Sequence, residues 1–254
     1  MNLLDIVHYF GIALTGAAIN AVAGGGTFLT FPVLILGGMN AIGANIMSTI
    51  ALWPGSVASS IAYRSERTDV PQGMLIPFII ISILGSILGA VVLLSTPEIT
   101  FKRLVPWLLL GATLIFTFGR HWIGRYHAVN VANSGKRKII TYLWMLLIAA
   151  YGGYFGAGIG ILMLAMLQLM GFTHIHQMNA LKTVLGSAIN AVAFLMFLFS
   201  GRVVWDMAMV MISGAIIGGY AGAHLSLNVS PQKIRVLVSV IGFTMSAYFF
   251  LYGV

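Results

Sequence analysis

Lys182 is a cation set in an apolar run, and its neighbours are the residues that could work with it. Residues 177–200 read QMNALKTVLGSAINAVAFLMFLFS, long enough to cross a bilayer as a helix. Asn179, Lys182 and Thr183, Gly186 and Asn190 recur at i, i+3/4, i+7 and i+11, so they share one helix face. A cation at the bilayer centre costs about 2.5–3.5 kcal/mol on insertion scales. A bound anion would offset that cost. The competing reading is a lysine that snorkels to the interface, since it lies only five residues after Gln177.

The stretch has an earlier copy. Adding 134 carries Ala23, Gly24, Gly26, Gly37, Asn45 and Thr49 onto Ala157, Gly158, Gly160, Gly171, Asn179 and Thr183, and places Ser48 where Lys182 stands. Each half therefore pairs a glycine-rich break with a polar-faced helix. After each break comes only about ten apolar residues, 27–36 and 161–170. As helix that is about 15 Å, too short to span alone. A half-helix starting near the midplane would leave its first amides open to an anion; a plain kink is the simpler alternative. Together with Lys182, the backbone around Gly25, Gly26 and Thr27 and around Gly158 and Gly160 becomes a candidate oxyanion site. Asn45, Ser48, Asn179, Thr183 and Asn190 would supply hydrogen bonds, although either Asn45 or Asn179 could merely tie neighbouring helices together.

The elements that must position these residues follow from composition. The 254 residues are 59% hydrophobic and 7% charged, against about 25% charged in a soluble domain. Charges are absent from 6–63, 70–97, 139–181 and 207–232. The chain reads as an all-α, polytopic membrane helical bundle. A barrel would need alternating ten-residue segments, which are absent. The net charge of +8 does not point to nucleic acid, because most positive charges fall in short connections as topology signals do. Zero cysteines remove disulfides and thiol chemistry.

In order, the chain offers a first helix at 3–22, the break, the short helix, and a span at 45–63 that Pro54 should kink. Asn45, Ser48, Thr49, Ser56, Ser59 and Ser60 continue its polar face. Spans follow at 74–94 and 104–119, with 96–103 as a loop. The basic stretch 120–138 carries five cations and no acid, and joins the halves on the cytoplasmic side. The second half repeats the plan with spans at 139–155, 177–200, 206–227 and 236–252. Gly85-x3-Gly89 and Gly218-x3-Gly222 are close-packing pairs. Pro97 and Pro231 each open a short loop with two basic residues. The organisation is thus residues 1–119 as a first repeat, 120–138 as a basic linker and 139–254 as a second repeat. Lys233 and Arg235 favour inverted halves, whereas Arg202 favours parallel ones; inversion is the reading adopted. Ala21-Val22-Ala23 imitates a signal-peptidase site, but MNLLD lacks Lys and Arg, so the first helix is expected to be retained.

No acid falls inside a span: Asp5, Glu66, Asp69, Glu98 and Asp206 lie at ends or in loops. Proton relays and sodium sites usually use buried carboxylates. Anion export needs none, since each negative charge leaving a negative interior gains about 2.3 kcal/mol per 100 mV. His174-x-His176, without a nearby acid or Cys, reads as a polar loop before a metal pair. No nucleotide loop or hydrolase elbow is present, so neither an enzyme nor a cofactor is expected. The expected partners are a small anionic substrate and the lipid bilayer; a homo-oligomer is compatible.

Gly24-Gly25-Gly26 followed by FLTFPVLILGG, the 45–63 helix, and GGYFGAGIGILMLAMLQLMGF with NALKTVLGSAINAVAFLMF in the second half together resemble the sulfite exporter TauE/SafE family. The resemblance covers nearly the whole chain. It implies a permease for sulfite, organosulfonates such as sulfoacetate, or related small anions in the bacterial inner membrane. GGMNAIGAN at 37–45 departs from the Pro- or His-bearing loop common there in the family. The alternatives are a carrier of another small ion or organic acid, and a non-transport membrane assembly factor.

Overall fold

A computed structural model describes residues 1–64, 72–123, 135–170, 172, 175–225 and 231–253. Among these residues the elements are all helical. They run α1 Leu3–Ala23, α2 Thr27–Leu36, α3 Ala41–Ala62, α4 Gln72–Ser95, α5 Glu98–Ile123, α6 Gly135–Tyr154, α7 Ile159–Leu169, α8 Ile175–Leu198, α9 Trp205–Leu225 and α10 Pro231–Tyr252. A long helix, a short one and three long ones therefore follow each other twice.

Local chemistry sets the ends. Asn2 and Asp5 form a capping box at the start of α1, satisfying two orphan amides reciprocally. Gly24 stops α1 in the left-handed conformation, φ 81°, with its N–H on the carbonyls of Ile19 and Asn20. Only glycine takes that conformation without steric cost. The short α2 occupies the ten residues anticipated for it, and α7 has eleven.

Among the described residues, five helices are long and apolar enough to cross a membrane: Leu3–Ala23, Leu75–Ser95, Glu98–Phe118, Gln177–Leu198 and Trp205–His224. Their outer surfaces suit lipid. On α4, Ile76, Ile80, Leu84, Leu88 and Val92 are exposed, an apolar face that water would penalise. The 22-residue α3 is not among these five spans. It is the most enclosed helix, with buried Asn45, Ser48, Ser56 and Ser59. Wrapped by other helices, it can carry polar groups that a lipid-facing span could not.

Several boundaries differ from expectation. Residues 98–103 are not a loop but the first turns of α5. Pro97 accepts from the amides of Thr100 and Phe101, and Pro231 is the first residue of α10. Both prolines open helices, the position where a missing N–H costs nothing. The basic stretch 120–138 is partly helical, since α5 continues to Ile123 and α6 begins at Gly135; its middle, 124–134, lies outside the described residues. Much of the positive charge read as loop therefore sits on helix ends. His174 and the acidic pair Glu66 and Asp69 also lie outside the described residues.

Packing crosses the halves. α1 lies along α9, α6 lies along α4, and α3 meets both α8 and α9. Lipid tails are as apolar as leucine, so close van der Waals fit must hold these pairs. The anticipated glycine pairs provide it. A Cβ on Gly218 would come within 1.9 Å of the Leu14 carbonyl oxygen, and one on Gly89 within 1.9 Å of that of Ala150. At the α3–α8 crossing, Trp53 Nε1 donates to the Ser187 carbonyl at 3.1 Å. These two residues are separated by 134 positions, the same offset that relates the two copies.

A cationic cavity where the glycine breaks meet

Lys182 is buried, at 3% exposure. Its Nζ donates to the carbonyls of Ala21 at 3.0 Å and Asn20 at 3.4 Å. Those oxygens belong to the last turn of α1, where the helix dipole is negative; the Asn20 carbonyl also accepts from Gly24 N, while that of Ala21 lies among the last carbonyls, which a helix leaves open. The cost of burying the ammonium is thus offset by a helix end 161 residues away, where the sequence alone suggested an anion. The ammonium does not reach the protein surface.

Gly24 and Gly160 bring the ends together. A Cβ on Gly24 would approach Gly160 Cα at 2.7 Å; one on Gly160 would meet Gly24 Cα at 2.7 Å and Lys182 Cδ at 3.2 Å. The two breaks touch, and the lysine stem lies against them. Beside this contact is a cavity of about 20 Å³, lined by Asn20, Ser56 and Ser59 from one side and by Gly160, Lys182, Thr183, Gly186 and Asn190 from the other. That is room for about one water.

Of the residues singled out from the sequence, Lys182, Thr183, Gly186, Asn190, Gly160 and Gly24 line this cavity, with Ser56 and Ser59 from the polar face of α3. The Thr183 hydroxyl donates to Ala180 in its own helix, at 2.9 Å. The others lie elsewhere. Asn45 donates its amide to the Tyr154 carbonyl at 2.9 Å, leaving its Oδ1 buried without a partner. Asn179 also has an unpartnered buried Oδ1. Ser48 shares a hydrogen bond with Thr30. Gly25 packs towards Val238 and Phe116, Gly26 against the Gly16 carbonyl, and Gly158 near Phe28 and Ala112. Thr27 opens α2 and is half-buried.

Only one of the two half-helix starts therefore faces the cavity, that of α7 through Ile159 and Gly160. Neither α2 nor α7 has a side-chain cap, whereas α3 has Asn40 on Gly43 N and Glu98 on Ala41 N, each at 2.7 Å. Sequence reading assigned no site role to Asn20, Ser56 or Ser59. Asn20 donates to Ser56 Oγ at 3.2 Å, and Ser59 donates to the carbonyls of Gly55 and Gly219. A polar residue one turn before a glycine triplet was the available signal for Asn20.

A multi-pass helical membrane protein with a buried cation, hydroxyls and amides around an internal cavity has the parts of a solute carrier. The profile of the family described as sulfite exporter TauE/SafE matches residues 9–249, and the chain belongs to that family of membrane transporters. Curated relatives agree. A "Probable membrane transporter protein" of Haemophilus influenzae is 29% identical over 97% of this chain and 94% of its own length. "Probable membrane transporter protein ORF9" of Sinorhizobium sp is 26% identical over 95% and 90%. "Probable membrane transporter protein YfcA" of Escherichia coli K12 is 26% identical over 94% and 87%. No solved structure matches the chain. The protein is a multi-pass membrane transporter of the bacterial inner membrane.

Proposed function

We propose that this transporter moves a small sulfur-containing oxyanion, sulfite or an organosulfonate such as sulfoacetate, outward across the inner membrane, without covalent chemistry. The observation that carries the reading is Lys182, a buried ammonium held by two backbone carbonyls and, among the described residues, by no carboxylate. Carbonyl oxygens are weak partners compared with an anion. An oxyanion entering the cavity would draw the ammonium from the α1 terminus and meet Ser56, Ser59, Asn190 and the backbone of Gly160 at the start of α7. The two α1 carbonyls would then hold the lysine again once the anion has left.

The present cavity is too small for such an anion, so loading requires the helices around it to separate. We assign that movement to two inverted halves, 1–119 and 139–254, joined by the basic linker 120–138. The repeated element order and the contact of Trp53 with its counterpart Ser187 support two related halves, and Lys233 and Arg235 favour their inversion. Asn45 and Asn179, with their unpartnered oxygens, would exchange partners as the halves move. Outward movement is favoured by potential, about 2.3 kcal/mol per charge per 100 mV.

Proteoliposomes containing the purified protein test the proposal. Sulfite, sulfoacetate and sulfate flux would be followed at two membrane potentials. Saturable, potential-sensitive flux of the first two supports it. Its absence for every sulfur oxyanion, with folded protein in the bilayer, overturns it.

A further inference from the structure

A groove of about 420 Å³ lies between the first turns of α5 and the end of α10 and shares no lining residue with the Lys182 cavity. Lys102 and Arg103 stand about one turn of α5 beyond Ile99. Ile99, Trp107 and Phe250 supply its apolar wall. Trp107 is 65% exposed and meets Phe250 edge-on, ring centres 4.9 Å apart. From Lys102 to Trp107 the helix rises about 8 Å. The groove thus changes from cationic to aromatic over about the distance from a lipid phosphate to the top of its acyl chains.

The two cations have no carboxylate partner among the described residues. Glu98 stands four residues before Lys102, the spacing at which a helical ion pair forms. Its carboxylate is instead committed to α3, accepting from Ala41 N at 2.7 Å and from Ile42 N at 3.4 Å. Ile99, Trp107 and Phe250 are exposed on a protein whose outer surface meets lipid. A partner must then be anionic at one end and apolar at the other.

We infer that this groove binds one anionic phospholipid, its phosphate on Lys102 and Arg103 and an acyl chain against Trp107 and Phe250. At roughly fivefold per cation, the pair gives about a 25-fold preference over a zwitterionic lipid of the same chains. Aromatic side chains at this level suit the boundary between headgroup and chain.

The full chain would be placed in phosphatidylcholine nanodiscs containing a few mole per cent of brominated phosphatidylglycerol or brominated phosphatidylcholine. Trp107→Phe identifies the Trp107 component of the fluorescence. The expected result is stronger quenching of that component by the brominated phosphatidylglycerol, saturating at one lipid, with the preference lost in Lys102→Gln/Arg103→Gln. Native mass spectrometry of wild type from a mixed-lipid bilayer gives a readout independent of the variants, and should show one retained phosphatidylglycerol. Equal quenching by the two lipids in wild type would mean ordinary annular lipid and overturn the inference. So would a groove covered by a second copy of the chain, seen as a dimer without retained anionic lipid.

Discussion

Lys182 of α8 donates a 3.0 Å hydrogen bond to the carbonyl of Ala21, in the last turn of α1. A cation from one half of the chain is thus docked on the helix end that precedes the glycine break of the other half. This single contact couples α8, α1 and, through the lysine stem, the start of α7.

Lys182→Gln and Lys182→Met should reduce sulfite flux in proteoliposomes to the protein-free background. Stability should change little, because the methionine fills similar volume and a buried charge is removed with its desolvation cost. Flux and thermal denaturation measured on the same preparations check this. Flux at the wild-type rate in either variant would remove the lysine from the mechanism.

Gly24→Ala should be strongly destabilising. Its φ of 81° costs an L-residue about 1–2 kcal/mol, and a Cβ would press on Gly160 Cα at 2.7 Å, adding about 1–3 kcal/mol of overpacking. Gly160→Ala should show the overpacking part alone. Gly11→Ala in α1, where a Cβ meets nothing within 4 Å, is the matched control and should be neutral or slightly stabilising. Denaturation midpoints rank the three.

Glu98→Gln should loosen the first turn of α3. The charge-assisted bonds to the amides of Ala41 and Ile42 become neutral ones, at a cost of about 1 kcal/mol. Glu98→Ala should cost about 1–3 kcal/mol, since both amides lose that partner. Faster hydrogen exchange at Ala41 and Ile42, with little change at the Asn40-capped Gly43, is the expected signature.

Trp53→Phe keeps most of the apolar contact with Phe194 but removes the donor to the Ser187 carbonyl. The α3–α8 crossing should weaken by about 1 kcal/mol. If the halves move about this crossing, flux should change more than stability does. A fall in both by the same proportion would assign Trp53 a packing role only.

Much of this was legible in the chain itself, because it depends on local chemistry. Apolar length defines the lipid-facing spans, glycine runs stop α1 and α6, and ten residues cannot make a full crossing. Gly89 and Gly218 announced close helix contacts by spacing alone. Tertiary structure decided what Lys182, Asn45 and Glu98 touch. Their partners are the carbonyls of Ala21 and Tyr154 and the amides of Ala41 and Ile42. Every residue has a carbonyl and all but proline have an amide N–H, so no side-chain pattern marks which ones will be left open at a helix end and met by another helix. That selection is made only when α1, α3, α7 and α8 pack, and it is why Gly24 and Gly160 meet at the cavity while Gly25 and Gly26 turn into the protein.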